Sequence, residues 1–230
     1  MKVVIMQPYL FPYFGYFSLL KNCDKFVFYD DVNFINKGWI NRNNLLINKK
    51  ACLFTVPLSK ASQNKYINEI KLFQFTEFKR NFYSLLKSTY SKAPFFQETI
   101  GYINNVFDCE TDHISDLAIR SIKIISEILG LKKKFFISSV LSPNSKVLSR
   151  SDRLIELTSI LSGDEYINSL GGAHLYSESY FAKHSIKLTF HEPKIFPYKQ
   201  FNSPNQFIPD LSIIDLLMNK SPDQINSELI

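Results

Sequence analysis

The chain has 230 residues, of which 45% are hydrophobic and 21% are charged, with a net charge of +6. This composition excludes a disordered chain, a collagen-like chain and a long coiled coil, and the length suits one large domain or two small ones. The positive charge would suit an acidic partner, but Arg is scarce and the Lys residues are scattered. We therefore attribute the charge to an AT-rich coding sequence and expect no DNA partner.

Two features of the composition bear on the compartment. The three cysteines, Cys23, Cys52 and Cys109, are widely spaced and form neither a CxxC motif nor a Cys/His cluster. They predict no disulfide and no metal site, and they favour a reducing, cytoplasmic environment. The uncharged stretch 3–20 contains Pro8 and Pro12, which would break a membrane helix, so we expect it to belong to the folded domain.

The first thirty residues predict a βαβ unit. An apolar run over residues 3–6 has the pattern of a strand buried on both faces, and residues 7–13 form a proline-containing loop. A helix over 14–22 and a second strand over 25–29 complete the unit. A crossover of this kind is right-handed and joins parallel strands.

The rest of the chain alternates between strand and helix patterns. A hairpin is predicted over 45–56, and further strands over 67–72, 135–139, 165–167 and 186–190. Helices are predicted over 77–87, 94–107, 112–129, 152–161, 175–184 and 211–219. The fold class is therefore α/β, with a mostly parallel sheet that starts with a βαβ unit and a helical middle section. We expect a single domain over 1–230, with a division near residue 130 as the alternative.

The loop after the first strand is the first candidate site. Ligands of open parallel sheets bind beyond the carboxyl ends of the strands, and this loop lies there by its position in the chain. The side chain of Gln7 can donate and accept hydrogen bonds, and tyrosines offer flat apolar faces with polar tips. Prolines stiffen the loop and a glycine allows close approach of the backbone. The candidate residues are Gln7, Tyr9, Pro12, Gly15 and Tyr16.

Two adjacent acids end the second strand. Asp30 or Asp31 could act as a general base, or both could bind a cation. Adjacent residues in an extended chain point to opposite faces. We therefore expect one of the two carboxylates to serve the site.

An Asn-rich segment over residues 33–44 contains the lone Trp of the chain. Arg42 could hold a phosphate or carboxylate bidentately, and Lys37 could add a second positive charge. Trp39 could stack on a base or a sugar ring, and Asn41 could contribute amide hydrogen bonds. These residues predict a binding loop for an anionic ligand.

A glycine pair marks the last candidate segment. Gly171 and Gly172 precede a predicted helix that includes Tyr176, and a helix start of this kind can bind an anion. His174 titrates near neutral pH and is a candidate for proton transfer. Classical P-loop, dinucleotide-binding, zinc-protease and nucleophile-elbow motifs are absent from the sequence.

Several of these segments resemble the WbqC-like family. The most specific are Gln-Pro-Tyr-Leu-Phe-Pro-Tyr-Phe-Gly-Tyr-Phe over 7–17, Asp-Lys-Phe-Val-Phe-Tyr-Asp-Asp-Val over 24–32 and Gly-Trp-Ile-Asn-Arg-Asn over 38–43. Weaker matches extend over 55–58, 90–96, the Gly-Gly pair and 211–217, almost end to end. Many members have His before the Gln-Pro pair where this chain has Met6, so no histidine role is transferred there. The opening also resembles a nucleotidylyltransferase-type βαβ unit, without its usual histidine pair.

The family resemblance implies a role in bacterial O-antigen or polysaccharide biosynthesis. It implies sugar decoration, with glycyl or aminoacyl transfer onto amino sugars as the suggested reaction. Our leading hypothesis is an N-acyltransferase acting on a nucleotide- or lipid-linked amino sugar. The acyl donor would be a thioester, an aminoacyl-tRNA or an acid activated by ATP, and a lipid-linked acceptor would bring the protein to the inner membrane as a peripheral protein.

Each candidate residue has a role in this hypothesis. Asp31, or else Asp30, would take the proton of the attacking amine. Gln7 and the backbone near Gly15 would stabilise the developing oxyanion. Trp39 and Tyr16 would stack on the sugar or base, and Arg42 and Lys37 would bind the phosphates.

Two alternatives remain open. One is a non-catalytic sugar- or nucleotide-binding protein of polysaccharide assembly, which the same loops would serve equally well. The other is a glycosyltransferase, because two acids after a strand resemble a metal-binding DxD motif, although here no residue separates them.

Overall fold

The computed structural model describes residues 1–203 and 206–229. Within them, five parallel strands form one sheet in the order β7-β2-β1-β8-β9. The strands are β1 (Lys2–Met6), β2 (Lys25–Phe28), β7 (Lys134–Ile137), β8 (Glu165–Ser169) and β9 (Lys187–His191). The α/β class, the parallel sheet and the initial βαβ unit predicted from the sequence are confirmed.

Alternating side chains of β1 show why this strand lies at the centre of the sheet. Val3 and Ile5 pack into one apolar cluster, while Val4 packs into the other on the opposite face. Both faces of a parallel sheet are covered by helices, which explains the continuous apolar run in this strand. The larger cluster contains residues of α1 (Phe14–Lys21) and α4 (Ile114–Ile128), and the smaller contains residues of α6 (Arg150–Ile160).

The remaining helices surround this sheet and its extensions. Most are short, and the helical middle section is built from α2, α3 and α4. Their bounds are α2 (Phe75–Tyr90), α3 (Phe96–Phe107), α5 (Ser138–Leu141), α7 (Glu178–Ala182), α8 (Ile213–Asn219) and α9 (Pro222–Glu228). Among the described residues, every helix is too short or too polar to cross a bilayer.

An antiparallel hairpin stands apart from the parallel sheet, as predicted. Its strands are β3 (Arg42–Ile47) and β4 (Lys50–Thr55). Asn48 and Lys49 form the two-residue turn, both with positive φ. That backbone matches the right-handed twist of the two strands, so the turn determines the register of the hairpin.

The structure corrects the predicted strand over 67–72. Ile67–Glu69 is a 3-10 helix, and only the short β6 (Lys71–Leu72) is extended, paired with β5 (Leu58–Ser59). Ile67 and Ile70 are buried three residues apart, which is the period of a 3-10 turn. Two further 3-10 helices, Pro143–Val147 and Leu170–Leu175, follow the carboxyl ends of β7 and β8 and were not predicted.

Candidate functional site

The order of the strands determines where a ligand can bind. From β1 the chain extends the sheet through β2 to β7, then returns to the other side of β1 with β8 and β9. The order in which the chain adds strands to the sheet therefore reverses between β1 and β8. The crevice of a doubly wound sheet opens at this switch point, beyond the carboxyl ends of the strands. Two adjoining cavities of about 670 and about 400 Å³ open there in the described part of the chain, and Met6, Tyr9 and Ser169 line both.

The larger cavity, which we name the cationic cleft, has more basic than acidic side chains in its lining. Residues that define it are Asp31, Lys146, Arg150, Arg153, Asn168 and Tyr176. Three cations against one carboxylate leave a net charge of 3 − 1 = +2 among these six residues. Arg and Lys are the residues that bind phosphate and carboxylate groups, so the cleft is suited to an anionic ligand.

Asp31 and Arg153 form a buried ion pair in the floor of this cleft. Nη2 of Arg153 lies 2.6 Å from Oδ1 of Asp31, and the side chains are 5% and 0% exposed. Arg153 also donates from Nε to the Ser145 hydroxyl and from Nη1 to the Asp31 carbonyl. Its guanidinium lies 4.7 Å from the ring centroid of Tyr29. The pair is thus held in place by the loop after β2, by α6 and by the 3-10 helix before α6.

The second carboxylate oxygen of Asp31 is buried without a hydrogen-bond donor in the described structure. Among the described residues, Oδ2 has no hydrogen-bond partner, and Nζ of Lys146 lies 3.8 Å away. Lys146 also lies over the ring of Tyr66, 5.0 Å from its centroid. A buried carboxylate oxygen without a donor is unfavourable, so an N–H or O–H group of a ligand would be stabilised here.

Asp30 points away from the cleft. Its Oδ2 accepts hydrogen bonds from Asn68 Nδ2 (3.0 Å) and the Ser139 hydroxyl (2.7 Å), and its Oδ1 accepts one from the Ser139 backbone N–H (3.1 Å). The Ser138 hydroxyl lies within hydrogen-bonding distance of both aspartates. Asp30 therefore anchors α5, and Asp31 is the carboxylate that lines the cavity. The positive groups around Asp31 do not favour a divalent cation between the two acids.

The smaller cavity, which we name the aromatic cavity, is lined by the loop after β1. Residues that define it are Tyr9, Tyr13, Tyr16, Trp39, His191 and Pro193. The Tyr16 hydroxyl donates to the Gln7 carbonyl (3.0 Å), and burial raises the pKa of Tyr16 well above its usual value, so this donor stays protonated. Pro12 and Gly15 line the same cavity, while Gln7 lines the cationic cleft. The candidate loop thus forms the wall between the two cavities.

Gly15 is required where it stands. An added Cβ would lie 2.4 Å from the Tyr13 ring and 2.8 Å from Pro193. Real side chains do not approach so closely, so any larger residue would displace two lining residues of the aromatic cavity.

His191 is a site residue that the sequence analysis did not assign. It ends β9, and its Nε2 lies 2.7 Å from the buried hydroxyl of Ser18 on α1. Burial lowers the pKa of His191, which favours the neutral imidazole at neutral pH. The one available signal was its position at the carboxyl end of a strand, because all parallel strands end at the same edge.

Trp39 is the one candidate residue of the Asn-rich segment that lines a cavity in the described structure, where Asn33 and Ile35 also line the cationic cleft and Asn43 the aromatic cavity. Trp39 is 44% exposed and lines the aromatic cavity. Arg42 donates to the carbonyls of Gly38 and Lys37, and its guanidinium lies 5.9 Å from the Trp39 ring. Asn41 donates to the Val56 carbonyl (2.8 Å). Arg42 and Asn41 thus stabilise the backbone of their own loop and of the residue that follows β4. In the described structure, neither of them lines a cavity, and nor does the exposed Lys37.

The glycine segment contributes two of its four candidate residues. It forms the 3-10 helix Leu170–Leu175, and Gly172 and Tyr176 line the cationic cleft. A Cβ on Gly172 would lie 2.8 Å from Nδ2 of Asn168. Gly171 and His174 are exposed and are not lining residues in the described structure. The predicted helix over 175–184 is shortened to α7, because residues 170–175 form a separate turn.

The basic residues of the cleft were missed by the sequence analysis. Lys146, Arg150 and Arg153 follow one another at spacings of four and three, the spacing of one helix face, although the structure places Lys146 in the 3-10 helix Pro143–Val147 and the two arginines in α6. This pattern was a usable signal. The spacing alone could not show that this segment packs beside the carboxyl end of β2, because that contact is set by the tertiary fold.

Comparison with known proteins finds the same family that the motifs of the first loop and the strand ends resemble. The model of the WbqC-like protein family matches residues 7–227. The chain belongs to the WbqC-like protein family. It is 27% identical over 234 residues to "Uncharacterized protein Rv1507c" of Mycobacterium tuberculosis (strain ATCC 25618 / H37Rv), an alignment that covers 97% of each chain. No solved structure shows significant similarity to the chain.

The family match covers most of the residues that line the two cavities of this WbqC-like protein. Its limits enclose Gln7 after β1, Asp31 after β2 and His191 at the end of β9, while Met6 lies just before them.

Proposed function

We propose that this protein is a transferase that acylates the amino group of a phosphate-linked sugar, with an aminoacyl group as one candidate donor. The observation that carries the proposal is the shared wall of Met6, Tyr9 and Ser169 between the two cavities. A reaction between two substrates needs two binding sites whose reacting ends meet, and adjoining cavities supply that geometry.

The cationic cleft would bind the acceptor. Lys146 and Arg150, the two cations outside the buried ion pair, suit a phosphate or diphosphate, and about 670 Å³ is within the range of sites for small-molecule ligands. The unpaired Oδ2 of Asp31 would accept a hydrogen bond from the sugar amine. The amine would then point towards Met6 and Tyr9, where the two cavities join.

The aromatic cavity would bind the acyl donor, a thioester, an aminoacyl-tRNA or an ATP-activated acid. In the transfer, the amine nitrogen forms a bond to the acyl carbon and the bond from that carbon to its leaving group breaks. Asp31 is the proposed acceptor of the amine proton, and Gln7 the donor to the developing oxyanion. The proton that Asp31 takes from the amine would pass through solvent to the leaving group, so the transfer as a whole neither gains nor loses a proton.

A non-catalytic binding role is the second candidate. The ion pair with Arg153 favours it, because the guanidinium already occupies one oxygen of the carboxylate that would have to take the amine proton. Both functions require the cationic cleft to bind a phosphate-bearing sugar, and they differ only in whether a covalent product forms.

One experiment separates these functions. The protein is incubated with nucleotide- and lipid-linked amino sugars together with acyl thioesters, or with ATP and glycine, and product mass is followed. We expect an added acyl mass, lost in Asp31→Asn and reduced in Lys146→Ala. Lys132→Ala is the matched control, since Lys132 is an exposed lysine before β7, at the other edge of the sheet. Sugar binding without any product across the panel would overturn the transferase and establish the binding protein.

A further inference from the structure

Large apolar side chains are exposed around the mouth of the cationic cleft. Ile35, Leu148 and Leu175 line the cleft, yet they are 49%, 41% and 45% exposed. Val147, which precedes Leu148, is 89% exposed, and Leu170, which begins the same 3-10 helix that Leu175 ends, is 47% exposed. We name these five residues the apolar rim. Single exposed apolar residues are ordinary, but a group around one polar cleft indicates an interaction surface.

The apolar rim is interleaved with positive charge. Lys146 and Arg150 flank Val147 and Leu148 in the chain, and both cations line the cleft. Basic residues next to exposed aliphatic side chains are the combination that binds the surface of an anionic membrane, where the cations meet lipid phosphates and the apolar groups enter the acyl boundary. A soluble nucleotide would use the cations and leave the apolar rim without a role.

We propose that the apolar rim docks on an anionic lipid surface and that the cationic cleft receives a lipid-linked phosphate from that surface. The inference rests on the proposed phosphate role of the cleft and selects the lipid-linked acceptor over the nucleotide-linked one. A second copy of the chain is a poorer occupant, because two rims placed face to face would bring Lys146 and Arg150 of both copies together.

Vesicle sedimentation tests the docking directly. The full chain is spun with vesicles of phosphatidylcholine that contain about one-third phosphatidylglycerol, and with vesicles of phosphatidylcholine alone. We expect binding to the anionic vesicles, weakened by added salt. The double variant Val147→Ser/Leu148→Ser should reduce the bound fraction by roughly tenfold, because two aliphatic side chains no longer leave water. Both positions are exposed, so folding should be unaffected.

The control removes equal apolar surface elsewhere. Leu53 and Phe73 are each 50% exposed and line neither cavity as described, so Leu53→Ser/Phe73→Ser should bind vesicles like the wild type. Equal binding by wild type and rim variant, or a wild type that stays in the supernatant, would overturn the proposal. So would a dimer, measured by light scattering, that becomes monomeric in the rim variant.

Failure here is distinguishable from failure of the proposed function. Titration calorimetry with inorganic pyrophosphate reports the cationic cleft alone, and Val147→Ser, at a rim position that does not line the cleft as described, should bind pyrophosphate as the wild type does. Pyrophosphate binding without vesicle binding would overturn the apolar rim and leave the transferase standing. Vesicle binding that depends on Val147 and Leu148, without any mass gain on lipid-linked sugars, would support the rim and count against the transfer reaction.

Discussion

Arg153 on α6 neutralises Asp31 at the carboxyl end of β2, with 2.6 Å between Nη2 and Oδ1 and neither side chain more than 5% exposed. The pair joins a helix on one face of the sheet to the edge where the cavities open. It therefore links the stability of the fold to the shape of the candidate site.

Removing the guanidinium of Arg153 should lower the free energy of unfolding far more than removing that of Arg150 on the same helix. Arg153→Met removes the nearest cation of a buried carboxylate, leaving Lys146 at 3.8 Å, and should lower the free energy of unfolding by about 3 kcal/mol. Arg150 is exposed on the same helix, so Arg150→Met should change it by less than about 0.5 kcal/mol. Urea denaturation measures both. Equal effects of the two substitutions would show that the ion pair is not what stabilises this region.

The local elements of the fold were predictable, and the order of the strands was not. The βαβ unit and the β3–β4 hairpin follow from apolar runs and from a turn that lies between them in the sequence. The pairing of β1 with β8 joins residues more than 150 positions apart, and no local pattern encodes it. The cationic cleft depends on that pairing, which is why Lys146, Arg150 and Arg153 were missed.

Candidate residues chosen by chain position lie at the expected edge of the sheet. Gln7 directly follows β1, Asp31 follows β2 by three residues, and both line the cleft. Arg42 was assigned to phosphate because of its side-chain chemistry, yet carbonyls of its own loop occupy it. Sequence shows which groups could bind a ligand, but competition from nearby backbone acceptors is decided only by the fold.

Two helical glycines should respond to alanine in opposite directions. Gly15→Ala forces a Cβ against Tyr13 and Pro193, and should lower the free energy of unfolding by about 1–3 kcal/mol. Gly101 lies in α3 with open space around it, so Gly101→Ala should raise that free energy by about 0.5–1 kcal/mol through helix propensity. Thermal and urea unfolding measure both. A stabilised Gly15→Ala variant would contradict the close contacts described for this loop.

A buried carboxylate should make the stability depend on pH. Asp215 accepts hydrogen bonds from Tyr90 and Tyr198, but burial dominates and raises its pKa above the ordinary 3.8. The folded protein then holds this proton more tightly than the unfolded chain. The contribution is fully present below about pH 3.8 and is lost as pH rises through the folded-state pKa.

Asp215→Asn removes that titration. The free energy of unfolding of the variant minus that of the wild type should therefore increase as pH rises from about 4 towards about 7. Urea denaturation at intervals over this range measures the difference, and subtraction removes the other carboxylates common to both proteins. A difference that stays constant with pH would show that Asp215 titrates alike in the folded and unfolded chains.

His191 should titrate in the opposite sense. Burial lowers its pKa below the ordinary 6.5, so the unfolded chain binds this proton more readily than the folded protein. The contribution to stability is present above about pH 6.5 and is lost as pH falls through the folded-state pKa. In NMR spectra, the resonance assigned to His191 by its absence in His191→Gln should therefore shift with a midpoint below 6.5. The wild type should also lose stability relative to that variant as the solution is acidified from neutrality. A midpoint at or above 6.5 would show that burial does not lower the pKa of His191 in the folded protein.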